Sequence, residues 1–135
     1  MAFTAEDIYS QVPYARTLGV QFLGLSSSTV ACRLEFDQAL STVGGGLHGG
    51  ALMGLADVAG AVCAVLNVAD GALPATSTSS TQFLRPVRGS ANAAATPLYA
   101  GRSSAVVQID VTDDAGSLCV RVTQTVSVRP ADQTA

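Results

Sequence analysis

The chain has no lysine. All seven of its basic residues are arginine, set against ten acids for a net charge of −3, so no basic stripe exists to track a nucleic-acid backbone. Nucleic acid is accordingly excluded as an expected partner. Arginine alone still suits phosphate, because its planar fork holds an oxyanion at two points where a lysine is a point charge. Histidine occurs once, as His48, which rules out a multi-histidine metal site. Cys32, Cys63 and Cys119 are odd in number and widely spaced, without the pattern of a zinc site or a disulfide frame. Each sits in an apolar segment and reads as a buried thiol, which fits a reducing compartment. The start, Met1-Ala2-Phe3-Thr4-Ala5-Glu6-Asp7, lacks the basic residues and apolar run of a secretory signal, so the expected location is the cytoplasm.

Charge of either sign is scarce. Charged residues make up 13% of the chain and hydrophobic residues 48%, a balance that expects part of the surface to be covered by another subunit. At 135 residues the whole chain, 1–135, reads as one domain with its own core and no room for a separate cofactor domain. Thr4 is placed to cap a short helix over about 4–17, with Glu6 and Asp7 in its first turn where the helix dipole favours acids. Strand-like alternation follows at Leu18–Leu25 and Thr29–Phe36, separated by Ser26-Ser27-Ser28.

Residues 38 to 69 contain no charged side chain except Asp57, and Gly49 to Asn67 reads as a helix apolar nearly all round, which must be buried on most sides. Its length approaches a membrane span. The acid at its centre, its many small residues and the absence of flanking basic residues exclude that reading. The period then returns to two, with strands near Ala75–Leu84, Ser90–Ala100, Ser104–Thr112 and Leu118–Val128, and the clearest hairpin turn at Asp113 to Gly116. The order of helix, two strands, long helix and four strands predicts an α+β fold, an antiparallel sheet wrapped around one central helix. In the stretch Thr76 to Thr81 hydroxyls fall on both faces of the strand, so one face is expected to border something polar.

Asp57 is the strongest candidate for chemistry, because an ionised carboxylate buried without a partner costs on the order of several kcal/mol. It reads either as a nucleophile or general base, or as a hydrogen-bonded aspartate at a subunit interface. Gly44-Gly45-Gly46-Leu47-His48-Gly49-Gly50 leads straight into the helix, so the unpaired N–H groups of its first turn face an open loop and form the beginnings of an oxyanion site, unless the glycines serve only a turn. The lysine of a P-loop and the Gly-x-Ser-x-Gly of a lipase-type hydrolase are both missing. His48 has two readings, fixing the loop through backbone hydrogen bonds or orienting substrate or leaving group.

His48-Gly49-Gly50 followed six residues later by Asp57, with Gly46 before and Ala59-Gly60 after, resembles the hotdog-fold acyl-CoA thioesterases of the phenylacetate-pathway (PaaI-like) type. Phe83-Leu84-Arg85-Pro86 and Gly101-Arg102 extend the resemblance over roughly residues 15 to 129. It implies a helix enclosed by the sheet, and a homodimer or dimer of dimers. It implies acyl-CoA as substrate, with coenzyme A part of the substrate and no separate cofactor or metal. It assigns the Gly49 amide as oxyanion donor, Asp57 as the acid that attacks the thioester or activates water, and Thr76 as a hydroxyl assisting the water or the acid. Arg85, Arg88, Arg102, Ser103 and Ser104 correspond to loop and strand-end positions that approach the coenzyme A nucleotide. Six residues before the histidine many relatives carry Asn or Gln to bind the carbonyl or position water; here the residue is Thr42, a departure that bears on substrate choice and activity.

On one helix, the eight residues from Gly49 to Asp57 span ~12 Å, too far for one carbonyl to touch both. Two antiparallel helices of a symmetric dimer solve this, Gly49 coming from one and Asp57 from the other. Two alternatives stand beside thioester hydrolysis: a non-catalytic acyl-CoA-binding hotdog protein, which the Thr42 departure favours, and a hotdog dehydratase or hydratase using His48 with Asp57. The acyl group is not legible, since no aromatic cluster marks an aryl site.

Overall fold

The N-terminal segment folds as two helices where one was expected. In the computed structural model, which describes residues 3–69 and 71–129, Thr4 opens α1 (Ala5–Gln11) with a capping box. Its hydroxyl accepts from the Asp7 amide at 3.2 Å and the Asp7 carboxylate accepts from the Thr4 amide at 2.8 Å. Val12 precedes a proline and leaves the helical region at φ −127°, and Pro13 then starts α2 (Pro13–Leu18). Gly19, at φ +95°, ends α2 in the left-handed conformation that glycine adopts without penalty.

There follow β1 (Val20–Leu25), β2 (Val30–Leu34), a single 3-10 turn at Gln38–Leu40 capped by Asp37, and α3 (Gly49–Val65). After α3 come β3 (Leu73–Phe83), β4 (Ala91–Ala100), β5 (Ser104–Thr112) and β6 (Leu118–Arg129). All pairings are antiparallel, in the order β1-β2-β4-β5-β6-β3, and α3 packs against every strand from β2 to β6. This is the hotdog fold.

Alternation dictates which face meets α3. Ala105, Val107, Ile109 and Val111 of β5 are buried, as are Val120, Val122, Gln124, Val126 and Val128 of β6, while the residues that alternate with them lie nearer solvent. On β4 the inward residues are Ala91, Ala93 and Ala95, and the helix presents Ala56, Ala59 and Cys63, so small side chains on both surfaces let α3 sit close to the sheet. Full burial of a side chain such as Ile109 stabilises by about 1.5–3 kcal/mol.

The helix is buried on most of its sides, as its composition led one to expect: ten of its 17 residues are buried, and one narrow stripe stays open. Met53 is 41% exposed and Asp57 is exposed, both on a face turned away from the core, and β3 beside them is an edge strand open along nearly all its length. The reason is geometric. One sheet covers one side of a helix, α2 covers part of another through Tyr14 and Leu18 beside Gly54, and the stripe that holds Met53 and Asp57 is left open.

On the opposite face of the sheet, Arg33 ties β2 to its surroundings, bonding Asp114 at 2.7 Å, Asn92 at 2.8 Å and Glu35 at 3.0 Å. The Arg33 and Asn92 hydrogen bonds hold the Asp114 carboxyl down at about 2, from an ordinary value of 3.8. Glu35 is likewise lowered, by Arg33 first and then by Ser90. Depressed carboxylates contribute stability that is present above their unfolded values and lost as pH falls through the folded ones. The melting temperature should therefore fall between about pH 4 and pH 2, and fall less steeply in Asp114→Asn, as circular dichroism across that range will show.

Burial raises the thiols of Cys32 to about 12 and Cys63 to about 11, and raises Cys119 as well. All three are free and buried. A thiol reagent at pH 8 should label the native protein slowly and all three cysteines at once on denaturation; fast native labelling would contradict their burial.

Candidate active site

The loop before α3 is a tight turn. The Thr42 amide donates to the Gly46 carbonyl at 2.9 Å and the Gly45 amide to the Thr42 carbonyl at 3.0 Å, with Gly44 and Gly45 at φ +90° and +89°. It is held against the segment after β3: the Leu47 amide donates to the Val87 carbonyl at 2.8 Å, and Arg88 Nη1 to the Gly44 carbonyl at 2.9 Å. A Cβ on Gly46 would stand 2.9 Å from the Val87 oxygen, a backbone atom that has little freedom to move, so only glycine fits there.

His48 is the N-cap of α3. Its Nδ1 accepts from the Gly50 amide at 2.8 Å, so in this arrangement the ring proton sits on Nε2, on an exposed side chain. The Gly49 N–H, first in the helix, has no acceptor among the described residues, and the helix dipole adds positive potential at that point. Phe83 lies directly beside it, its ring 3.2 Å from where a Gly49 Cβ would be. A cleft of about 360 Å³ opens here, lined among others by Thr42, Gly49, Leu52, Phe83, Arg85 and Arg88. Four of the residues singled out in the sequence thus converge at the start of α3, with His48 adjoining.

Asp57 is not in this cleft. It stands two turns further along, ~12 Å from Gly49 by helical rise, and its carboxylate is exposed where burial was expected. One carboxylate oxygen is firmly held: Thr76 Oγ1 donates to Oδ1 at 2.9 Å and Gln124 Nε2 donates to the same atom at 3.1 Å. Oδ2 has no donor among the described residues.

A β-bulge makes this possible. Thr76 pairs with Val126 and Ser79 with Gln124, with the register slipping between Thr76 and Thr78. The extra residue puts Thr76 and Ser79, three apart, on the same inward face, where an unbroken strand would send them to opposite faces. The run of hydroxyls in β3 therefore does border polar groups, the Asp57 carboxylate and the Gln124 amide.

Arg102 and Ser103 lie in the β4–β5 turn and Ser104 opens β5, away from Arg85 and Arg88. Ser104 pairs with Ser127, which also pairs with Ala75, so this turn lies at the Thr76 end of the sheet, while Arg85 and Arg88 follow Phe83 at the other end. One chain does not gather all five around one site. Among the described residues no three His, Cys, Asp or Glu side chains converge as metal ligands, and no helix is long and apolar enough to cross a membrane.

Gln124 escaped the sequence reading. Its signal was there: in β6 the inward series Val120, Val122, Gln124, Val126, Val128 has one polar member. Phe83 as the neighbour of Gly49 was equally hidden, because its position depends on how β3 crosses α3.

Residues 44–120, more than half of the chain, match the family model of the thioesterase superfamily, a segment that includes Gly49, Asp57, Thr76, Arg85, Arg88 and Arg102. A Haemophilus influenzae protein provisionally named an esterase is 30% identical over 112 residues, 82% of this chain and 81% of that protein. Among solved structures, a thioesterase from Haemophilus influenzae superposes with a TM-score of 0.89 at 26% identity, covering 98% of this chain and 95% of that one. The Escherichia coli PaaI protein, from the phenylacetic acid degradation operon, shares the fold with a TM-score of 0.82 at 20% identity, over 91% and 88%. Family model, sequence relative and backbone agree: the chain belongs to the thioesterase superfamily and has its hotdog fold.

Proposed function

We propose that the protein hydrolyses an acyl-CoA thioester to the free acid and coenzyme A, at sites shared between two copies of the chain. The observation that carries this reading is that a free helix-start N–H and a carboxylate stand on one open face of one helix, too far apart to serve one carbonyl. Positions 49, 53 and 57 recur every four residues and share that face. Met53 at 41% exposure, Phe83 and Leu84 at 53% each, and the unpaired edge of β3 offer an apolar and hydrogen-bonding surface for a second copy. Two copies related by a two-fold axis, their α3 helices antiparallel, bring Gly49 of one toward Asp57 of the other, twice. The same operation carries Arg102, Ser103 and Ser104 of one copy to the end where Arg85 and Arg88 of the other stand. Together they supply cations and hydroxyls for the nucleotide phosphates. A dimer of dimers is the larger assembly this reading allows.

In each site the Gly49 N–H takes the charge that develops on the carbonyl oxygen, aided by the dipole of α3. Asp57 then acts in one of two ways. As nucleophile, an oxygen of Asp57 adds to the carbonyl carbon and the thiolate leaves; water cleaves the resulting anhydride to the acid and restores the carboxylate. As general base, Asp57 takes a proton from water, hydroxide adds, and the proton passes to the departing sulfur. Thr42, which lines the same cleft as Gly49, binds the carbonyl or holds water in this reading, and Thr76 steadies the acid. His48 caps the helix that carries Gly49 and presents Nε2–H outward toward the substrate. No separate cofactor enters. The three free, buried thiols fit a reducing cytoplasm.

Thiol release from a panel of aryl, short-chain and long-chain acyl-CoAs tests the reaction. Asp57→Ala should lower kcat by about 10²–10⁴-fold, with the oligomer intact by size-exclusion chromatography. Binding without thiol release would overturn hydrolysis in favour of a binding protein, and hydration of an enoyl-CoA without thiol release in favour of a hydratase. A mixed assembly tests the sharing of sites. Asp57→Ala and Gly49→Val chains, each inactive alone, should recover ~25% of wild-type activity when randomly combined, since half the dimers then carry one intact site of two. Failure to recover would place each site within one chain.

A further inference from the structure

Among the described residues Gln124 is the one long polar side chain in the core: it is 1% exposed and lies between α3 and β6. Everything around its amide is arranged to keep it there. Gly60 supplies the room, since a Cβ at that position would stand 3.1 Å from Gln124 Nε2 and 3.0 Å from Ile109 Cδ1. The β3 bulge turns Ser79 and Thr76 toward it from either side. Ser79 Oγ donates to Oε1 at 3.2 Å, Nε2 donates to Asp57 Oδ1 at 3.1 Å, and Thr76 Oγ1 lies 3.5 Å from Nε2. The orientation of the amide follows from its neighbours. Flipped, it would set a carbonyl oxygen against the carboxylate of Asp57, two acceptors with no proton between them.

From this we infer that Gln124 is a positioning residue for the reaction, a buried amide that holds Oδ1 of Asp57 and so leaves Oδ2 as the oxygen that meets substrate or water. The inference rests on the hydrolytic reading above. Thr76 also bonds Oδ1, but it lies on an exposed strand and its hydroxyl rotates. Gln124 is packed on every side and anchored at both ends of its amide, which makes it the fixed reference for the carboxylate. Without it, Asp57 keeps its place on the helix but loses the rotation that aims Oδ2. An error of that kind is read in the rate of the chemical step and not in substrate affinity, because Gln124 touches no part of the cleft that binds the acyl-CoA.

The test is Gln124→Met, which keeps length and volume and removes the donor, compared with wild type and Asp57→Ala on the best substrate of the panel. The expected result is a kcat lowered about ten- to a hundredfold, a KM within about twofold of wild type, and an unchanged oligomer. Wild-type kcat in Gln124→Met, or a loss appearing in KM alone, overturns the inference and leaves the hydrolytic reading standing. A wild type that releases no thiol, or an Asp57→Ala that keeps its kcat, overturns both. Should Gln124→Met fail to assemble, Ser79→Ala and Ser79→Thr decide: loss of kcat at constant KM in the first, restored in the second where the hydroxyl returns, supports the role, and equal rates in both overturn it.

Discussion

An α-helix rises 1.5 Å per residue, and that fixed increment holds the Gly49 N–H and the Asp57 carboxylate ~12 Å apart on α3. No rotamer of Asp57 closes that gap, because both residues belong to one regular element and the side chain is short. Each is nonetheless prepared for use. The Gly49 amide is left without an acceptor at the positive end of the helix while the His48 cap satisfies its neighbour Gly50. The Asp57 carboxylate is gripped at one oxygen and open at the other. In the proposed dimer a second copy would supply the missing half of each of these two half-sites.

The sheet follows the same division. Its order leaves β3 as an edge, and the bulge in that strand is where the pairing pattern yields to chemistry, turning Thr76 and Ser79 onto one side so that a carboxylate and a buried amide find donors there. The arginines are split between the two ends of the sheet, so a nucleotide bound at one cleft would meet two of them from its own chain and a third from the other. In the proposed dimer, polar groups that look isolated in one chain would become complementary across the two-fold axis, the usual economy of a symmetric interface.

Much of this was legible in the sequence. The alternation in β5 and β6, the turn at Asp113 to Gly116 and the uncharged run interrupted only by Asp57 set the order of elements, and the His-Gly-Gly to Asp spacing named the two poles of the proposed site. Three things were not legible, each for a physical reason. The break between α1 and α2 comes from the conformational restriction that Pro13 places on Val12, which hydrophobic periodicity does not register. The exposure of Asp57 was hidden because an all-apolar helix reads as buried whether its cover comes from its own sheet or from another subunit. Gln124 was missed because one polar residue in an inward series looks like noise until the strand is placed opposite the acid it serves.

The claim at the centre is that each site takes its oxyanion donor from one chain and its carboxylate from another. A crystal structure of the assembled protein with a non-hydrolysable ketone analogue of an acyl-CoA measures this directly. The ketone oxygen should lie about 3 Å from the Gly49 nitrogen of one chain, with the carbonyl carbon about 3–3.5 Å from Asp57 Oδ2 of the other or separated from it by a single water. A ketone held by Gly49 with no Asp57 of a second chain beside it would contradict the shared site.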